Sequence, residues 1–245
     1  MRAELGQVGG VHVVLSSGFL AFAEHAGFLA GLEEAGVVPS AVVGTSSGAL
    51  AGACLAAGWS AQRVYDELTA VVPLRYVRPS LTPWTGLLEL GPMVRRLRTL
   101  LPPTFAHLER PLAVGVVGAN GHRLVTQGAL PEAVAASCAI PWVFRPVSLA
   151  GEPLQDGGAA DRTGLGAWRA EHPDAPMVVH LLDRSQNRGR PDPREPAPEL
   201  LEGLTVVRSP RSGAQLWSLG DTAARFAAAR ARTQQALEPS FVAPA

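Results

Sequence analysis

The sequence lacks the excess of one charge that marks many binding proteins. Its 21 basic residues are all arginine, with no lysine, and 21 acidic residues balance them, so the formal net charge is zero. Proteins whose main partner is nucleic acid usually carry a net basic surface, so this balance argues against a nucleic-acid partner. The absence of lysine is typical of codon bias in GC-rich DNA and indicates little about function.

Cysteine is also scarce. Cys54 and Cys138 are too few to build a disulfide scaffold, and each lies among small apolar residues, where we expect a buried and unreactive thiol. No C-x-x-C or H-E-x-x-H pattern occurs, and the six histidines are scattered along the chain. We therefore expect no dedicated metal site.

A membrane-spanning helix is not expected either. The N-terminal residues contain no apolar segment that would suit a secretory signal. One uncharged run, Val37–Gln62, is long enough to raise the question, but Gly-Thr-Ser-Ser-Gly interrupts it between a β-branched stretch and an alanine-rich stretch. That pattern predicts a strand, a turn and a helix. We expect a cytoplasmic protein.

The residues that are present suffice for one large core. Hydrophobic residues make up 47% of the chain and charged residues 17%, so we expect residues 1–245 to form a single domain. Short apolar runs alternate with helical patterns, which predicts an α/β fold with a mostly parallel, buried sheet. The predicted strands are Val11–Leu15, Ala41–Gly44, Leu112–Gly118, His122–Thr126, Met177–Leu182 and Leu204–Val207. The predicted helices are Phe22–Ala35, Ser47–Ala57, 60–70, Met93–Leu101, Glu132–Ala139 and Gln215–Leu237.

Two segments stand outside this alternation. Six prolines break residues 73–110, and such insertions often carry function, so we expect this segment to cover the substrate site. Residues 184–198 are polar and proline-rich, which predicts an exposed loop.

The helical part of the 73–110 segment carries Arg95, Arg96 and Arg98 among apolar residues. A short helix with one basic and one apolar face can rest on an anionic membrane surface. The same pattern also suits an ordinary helix that packs on the domain with its arginines in solvent. The sequence leaves both interpretations open, and it makes peripheral contact with an anionic membrane a prediction to be tested.

The residues Gly44-Thr45-Ser46-Ser47-Gly48 form a G-x-S-x-G pattern between a predicted strand and a predicted helix. A nucleophile elbow needs small residues two before and two after the serine, because the sharp turn brings neighbouring backbone close. The positive end of the helix dipole also favours an anion that develops beside the serine. The pattern therefore predicts that Ser46 is a nucleophile, although a glycine-serine turn that caps a helix has the same letters.

A serine hydroxyl is a weak nucleophile unless a base lies near it, and the sequence offers two kinds of base. A Ser-His-Asp triad would draw on Asp156 or Asp161 with His172 or His180. However, only one predicted strand precedes the strand that leads into the elbow, whereas several do in α/β-hydrolases, and His180 lies within an apolar strand. The alternative is Asp156 alone, because Asp156-Gly157-Gly158 predicts an unobstructed turn that another segment can approach closely.

Three motifs in order resemble the patatin-like phospholipase family. The resemblance covers roughly residues 11–182, most of the chain. Its three motifs are Leu15-Ser16-Ser17-Gly18 with His25, Gly27 and Leu29, then Gly44-Thr45-Ser46-Ser47-Gly48, and finally Asp156-Gly157-Gly158. The Ala-Ser-Cys-Ala-Ile-Pro stretch that ends at Pro141 also looks like that family.

This resemblance implies a three-layer α/β/α patatin-like fold with a mostly parallel central sheet. It implies a Ser46–Asp156 catalytic dyad that needs neither cofactor nor metal, with Gly44, Gly48, Gly157 and Gly158 supporting the two turns. It also implies an oxyanion hole formed by the backbone amides of Ser17, Gly18 and Phe19.

The first motif departs from the family pattern, G-G-G-x-R/K-G. Of its glycines only Gly18 remains, and Ala21 stands where a basic residue is expected. Backbone donors survive a change of side chain, so the oxyanion hole can persist if the loop keeps its shape. Phe19, Leu20 and Phe22 add bulk, which predicts a narrower and more apolar site.

These observations predict a serine acyl hydrolase that cleaves carboxylic esters of lipids, a phospholipase, lysophospholipase or esterase, through an acyl-enzyme. Two alternatives stay open at this stage. An acyltransferase would use the same dyad with an alcohol or thiol in place of water. A non-catalytic relative would keep the fold for binding or regulation, as the altered first motif allows.

Overall fold

The structure, a computed structural model, describes residues 10–183 and 192–238. Their strands are β1 (Val11–Leu15), β2 (Pro39–Thr45), β3 (Arg78–Pro79), β4 (Leu88–Glu89), β5 (Leu112–Gly118), β6 (Gly121–Val125), β7 (Val147–Leu149), β8 (Glu152–Asp156), β9 (Met177–Leu182) and β10 (Thr205–Ser209). Their α-helices are α1 (Phe22–Glu34), α2 (Ser47–Ala56), α3 (Ala61–Thr69), α4 (Gly91–Leu100), α5 (Leu130–Ser137), α6 (Leu165–Glu171), α7 (Pro198–Leu201) and α8 (Thr222–Leu237).

A mixed central sheet organises the domain. Its strand order is β10-β9-β1-β2-β5-β8-β7, and β6 pairs with β5 outside this path. The first five strands of the order run parallel to one another, whereas β6, β7 and β8 join by antiparallel pairing. The predicted α/β fold with a mostly parallel sheet is thus confirmed.

Helices cover both faces of this sheet, as the alternation of side chains along β1 illustrates. Val13 and Leu15 belong to a large apolar cluster with α1, α2 and α5, while Val14 points to a smaller cluster with Leu165 and Trp168 of α6. Successive side chains of a strand point to opposite faces, so one strand contributes to two cores. Parallel strands covered in this way read as continuous apolar runs, which is why their positions were predictable.

One edge of β5 brings two strand ends together. Thr45, the last residue of β2, pairs with Gly115, and Asp156, the last residue of β8, pairs with the next residue, Val116. The other edge of β5 at these positions is taken by β6. Because β2 runs parallel and β8 antiparallel to β5, their carboxyl ends point toward each other. This meeting point sets the position of the candidate site.

Several predicted boundaries differ from the structure. The final helix starts at Thr222 rather than Gln215, because Asp221 caps it by accepting a 2.9 Å hydrogen bond from the amide of Ala224. The strand that ends at Asp156 and the helix α6 were not predicted at all. The run Val37–Gln62 does form a strand, a tight turn and a helix, as the pattern indicated.

The predicted loop at 184–198 is only partly described. Residues 184–191 lie outside the described residues. Residues 192–197 are for the most part half-buried, and Glu195 forms an ion pair with Arg162. Pro198 already belongs to α7.

Within the described residues, no helix has both the length and the apolar character that crossing a membrane would require. The segment 73–110 folds into short turns, the two-stranded β3–β4 ladder and α4. The arginines of α4 are largely paired: Arg96 contacts Glu67 at 2.6 Å, and Arg98 forms an ion pair with Glu132.

Candidate active site

Ser46 sits on a strained backbone turn between β2 and α2. Its φ and ψ angles are 57° and −120°, a conformation that L-residues rarely adopt and that tends to occur at functional sites. A Cβ atom at Gly44 would collide with the backbone of Gly48, and one at Gly48 would collide with the carbonyl of Leu15. The two glycines of the pattern are therefore required by close backbone approach, as a nucleophile elbow demands.

A buried serine, Ser137, is hydrogen-bonded to the backbone of this turn. The backbone amide of Ser46 donates a 2.8 Å hydrogen bond to Oγ of Ser137, and that hydroxyl donates at 2.6 Å to the carbonyl of Gly115. Ser137 is completely buried at the end of α5. Sequence reasoning missed its role, and the only available signal was its place in the Ala-Ser-Cys-Ala stretch.

Asp156 ends strand β8 and is 5% exposed. The sequence indicated a flexible turn here, but the position is buried and rigidly bonded. The Asp156 amide donates to the carbonyl of Ala139 at 3.0 Å, and Oδ1 accepts a 2.7 Å bond from the amide of Gly158. A Cβ atom at Gly157 would collide with the backbone of Gly115. Glycine at position 157 thus lets the end of β8, which carries Asp156, lie directly against β5.

Cys138 lines the pocket together with Ser46 and also lies near Asp156. Burial, followed by the nearby Asp156 carboxylate, raises the pKa of the Cys138 thiol well above its ordinary value, while a hydrogen bond with the Ser46 side chain opposes that rise. Burial also raises the pKa of Cys54 to about 12. Both thiols therefore stay protonated near neutral pH.

The loop 17–19 passes beside this site. The amide of Ser17 donates to the carbonyl of Arg162 at 2.7 Å, so this amide is already engaged. No acceptor among the described residues is bonded to the amides of Gly18 or Phe19. The backbone strain of the loop falls on Leu20, whose φ is 54°. Of the three amides that the sequence predicted for an oxyanion hole, two are thus unengaged.

The side chain of Arg162 is hydrogen-bonded to the backbone of this loop. Its guanidinium donates to the carbonyl of Ser17 at 2.7 Å and to the carbonyl of Leu182 at 2.6 Å, and its Nε lies 3.3 Å from Oγ of Ser17. The residue is 1% exposed and forms an ion pair with Glu195. The sequence analysis did not single out this arginine, because nothing in its local pattern predicts a buried position.

An apolar pocket opens at Ser46. It encloses about 850 Å³ of space, counting its open mouth. The pair of Glu67 and Arg96 is charged, and most of the remaining wall is apolar. The apolar side chains that line the pocket are Phe19, Leu20, Phe22, Leu50, Leu68, Val71, Pro73, Val77, Leu90, Met93, Leu97, Leu100, Ile140, Phe144 and Leu216.

The residues of the alternative triad are committed elsewhere. His180 is fully buried, and its two ring nitrogens lie 3.0 Å from Nδ1 of His25 and 2.9 Å from Oγ of Ser209. His172 stacks on Trp168 with ring centroids 4.0 Å apart. Oδ1 of Asp161 accepts bonds from the amides of the two turn residues at 163 and 164. The structure describes all six histidines, and none of them lines the pocket at Ser46.

The fold and the site together define an α/β protein in which Ser46, on a strained strand-to-helix turn, lines an apolar pocket. The sequence model of the patatin-like phospholipase family matches residues 13–167, which is more than half of the chain. The chain belongs to this family.

Two solved structures align with 93% of this chain. VipD from Legionella pneumophila aligns with a TM-score of 0.57 and 15% sequence identity, covering 93% of this chain and 66% of VipD. The type III effector protein ExoU aligns with a TM-score of 0.44 and 14% identity, covering 93% of this chain and 52% of ExoU. The chain therefore spans somewhat under two thirds of the one protein and about half of the other.

Proposed function

We propose that the protein is a serine acyl hydrolase that cleaves carboxylic esters of lipids, with Ser46 as nucleophile and Asp156 as base. The observation that carries this proposal is the meeting of two strand ends on β5, which brings the strained Ser46 turn and the buried Asp156 to neighbouring positions. Membership in a family of phospholipases supports the reaction class.

The reaction follows from this arrangement. Ser46 Oγ attacks the acyl carbonyl while the Asp156 carboxylate accepts its proton, and the alcohol leaves as that proton is returned to it. A water molecule then gives a proton to Asp156 and attacks the acyl-enzyme, and Asp156 returns this proton to Ser46 Oγ as the fatty acid leaves. An alcohol or thiol in place of water would make the protein an acyltransferase with the same dyad.

In this proposal three backbone amides hold the oxyanion. Gly18 and Phe19 present unengaged amides from the loop, and Ser47 follows the nucleophile as the first residue of α2. The first amides of a helix have no partner within the helix, and the positive end of its dipole favours a developing anion. We leave Ser17 out of this set because its amide bonds to Arg162.

The apolar pocket suits the acyl chain of a lipid. Its lining comes from the 16–22 loop, α4 and the segment after α5, and Ser46 stands among these side chains. Burial of apolar surface contributes about 25 cal/mol per Å², so a chain gains affinity with each methylene it inserts. We therefore expect the acyl group to occupy the pocket.

A fluorophosphonate probe tests the nucleophile directly. The purified wild type should be labelled on Ser46, and Ser46→Ala should abolish both labelling and ester cleavage. Ser47→Ala is the matched control, because the buried Ser47 hydroxyl has no hydrogen-bond partner among the described residues. Labelling without turnover in water would favour the acyltransferase, and the absence of labelling would favour a non-catalytic relative.

Contact with an anionic membrane is part of the proposal, but it involves a different surface from the arginine face of α4. The ion pairs of Arg96 and Arg98 favour the ordinary packed helix. The apolar rim, which we define as Leu81, Trp84, Leu87 and Trp142, is instead between 62% and 89% exposed.

The apolar rim adjoins the pocket mouth. The amide of Leu87 bonds to the carbonyl of Trp142 at 3.3 Å, which joins the two segments that carry the rim. Phe144 and Leu90, a few residues further along these segments, line the pocket. Arg75 and Arg95 of the segment that carries Leu87 are exposed and form no salt bridge with a described residue, and such side chains complement anionic lipid. Tryptophan suits the boundary between headgroups and acyl chains.

Vesicle co-sedimentation tests this contact without depending on catalysis. Wild type should bind phosphatidylcholine vesicles more strongly as phosphatidylglycerol is added, and the double change Trp84→Ala with Trp142→Ala should weaken binding at least tenfold. Val38→Ala is the control, since Val38 is 69% exposed just before the amino end of β2, away from Ser46. Equal binding by all three proteins would contradict the proposal, as would a rim-dependent dimer without vesicle binding.

A further inference from the structure

We infer that Arg162 is a positioning residue that holds the oxyanion loop, residues 17–19, in its working shape. The inference deepens the proposed function and rests on it. The family pattern places a basic residue within its glycine-rich loop, whereas this chain has Ala21 at that position and keeps only Gly18 among the glycines. A loop that has lost those residues needs another source of order.

Arg162 forms hydrogen bonds with both the backbone amide and the backbone carbonyl of Ser17. The carbonyl of Arg162 accepts the Ser17 amide at 2.7 Å, and the guanidinium donates to the Ser17 carbonyl, also at 2.7 Å. Two bonds between the same two residues fix both position and orientation of the peptide units at Ser17. The next two residues, Gly18 and Phe19, carry the unengaged amides. The hydrogen bonds between Arg162 and Ser17 therefore determine the direction in which those two amides point.

The same guanidinium ties the loop to the sheet. It donates to the carbonyl of Leu182, the last residue of β9, at 2.6 Å. A Cβ atom at Gly18 would lie 2.8 Å from Cγ of Leu182, so the loop is packed tightly against that strand end. The loop is thus held on one side by bonds to Arg162 and on the other by contact with β9.

A buried charge is stable only where it is paired and bonded. Arg162 meets this condition through two carbonyl oxygens and the Glu195 carboxylate. The planar guanidinium has five donors in a fixed fork, whereas a lysine ammonium is a compact point charge on a flexible stem. Lysine at this position therefore keeps the charge but not the simultaneous bonds to Ser17 and Leu182.

Arg162 also connects the loop to the base. It follows Asp156 by six positions, and between them Gly158 packs against the side chain of Ser17. One short segment therefore carries both the aspartate and the group that fixes the oxyanion loop. A shift of that segment would move both parts of the site together.

Arg162→Lys and Arg162→Gln test the inference, with turnover and KM measured on a soluble ester. Loss of a single oxyanion donor typically lowers kcat by 10²- to 10³-fold, so we expect Arg162→Gln to lower kcat on the order of 10²-fold with KM changed less than threefold. Arg162→Lys should recover only part of the loss. Thermal unfolding shows whether each variant is folded, and active-site titration counts the active sites. The values of kcat are then compared per folded molecule.

Arg169→Gln is the matched control for a structural effect. Arg169 likewise donates to backbone carbonyls, at Leu200 and Glu202, but on α6 and away from the loop. Its loss should lower the unfolding temperature without lowering kcat per folded molecule. Arg162→Lys, which keeps the buried charge beside Glu195, remains informative if Arg162→Gln does not fold.

The inference is overturned if Arg162→Lys retains wild-type kcat, or if Arg169→Gln loses as much kcat as Arg162→Lys. A wild type that is neither labelled by the probe nor active would instead refute the proposed function. The two failures are therefore distinguishable.

Discussion

The backbone amide of Ser46 and the hydroxyl of Ser137 lie 2.8 Å apart, in a hydrogen bond that crosses from the elbow to the end of α5. The Ser137 hydroxyl in turn donates a hydrogen bond to the carbonyl of Gly115, one residue before the position that pairs with Asp156. A single buried hydroxyl thus links the strained serine turn to β5, the strand with which both β2 and β8 pair. Strain of this kind persists only where surrounding structure imposes it.

Ser137→Ala should therefore relax the elbow. It leaves the Gly115 carbonyl and the Ser46 amide without their partner, and such a loss costs about 1–3 kcal/mol of the free energy of unfolding. We expect kcat to fall at least tenfold with the protein still folded, as urea unfolding would show. Ser148→Ala, on the exposed face of β7, should change neither quantity. Unchanged kcat in Ser137→Ala would show that the elbow holds its shape without this bond.

A second prediction separates the dyad from a triad. Asp156→Asn should lower kcat by about 10²- to 10⁴-fold, the usual size of a general-base contribution. Single changes His25→Ala, His172→Ala and His180→Ala should each leave formation of the acyl-enzyme measurable, because His25 and His180 are buried against each other and His172 stacks on Trp168. Burst kinetics with a chromogenic ester measure that step. One histidine change matching the loss in Asp156→Asn would establish a triad.

The sequence was most informative where one local rule determines the structure. Strands β1 and β9 were predicted to the residue, because a buried parallel strand is a continuous apolar run with sharp ends. The elbow was predicted for the same reason: Gly44 and Gly48 are needed by the turn itself. These signals are contained within a few neighbouring residues.

Contacts between distant segments were not predictable in this way. Strand β8 is short and contains Glu152, Pro153 and Gln155, so it carries no apolar alternation, and its place is set by pairing with β5 and β7. In the sequence, Ser137 and Arg162 have the local pattern of ordinary helix and loop residues. Only the folded chain brings them into contact with Ser46 and Ser17. The engagement of the Ser17 amide, which removes it from the predicted oxyanion hole, likewise depends on a residue 145 positions away.

The third prediction concerns acyl specificity. Phe19 lines the pocket and is 41% exposed, and its carbonyl accepts a 2.6 Å bond from the hydroxyl of Ser212, which fixes the backbone beneath the ring. The ring therefore narrows the entrance, and wild type should cleave short or medium acyl esters faster than two-chain phospholipids. Phe19→Gly should raise kcat/KM for long chains relative to short ones. A wild type already fastest on two-chain lipids would contradict this, and Trp217→Ala serves as an exposed aromatic control.

The fourth prediction follows from the buried pair of His25 and His180. Burial lowers the pKa of His25 to about 3, and burial followed by the charge of His25 lowers the pKa of His180 well below its ordinary value. In the unfolded chain both rings take up protons below about pH 6.5. The unfolded state then binds more protons than the folded one, so the free energy of unfolding should fall as the pH drops from 7 toward 5.

Each buried histidine contributes a slope of about 1.4 kcal/mol per pH unit below pH 6.5, with the stabilisation fully present above that value. His25→Leu should therefore flatten the pH dependence of the free energy of unfolding by about that amount, measured by urea unfolding at intervals between pH 7 and pH 5. His107→Gln changes an exposed histidine and should leave the slope as it is in wild type. If His25→Leu and wild type show parallel curves, the buried pair does not set the acid sensitivity of this fold.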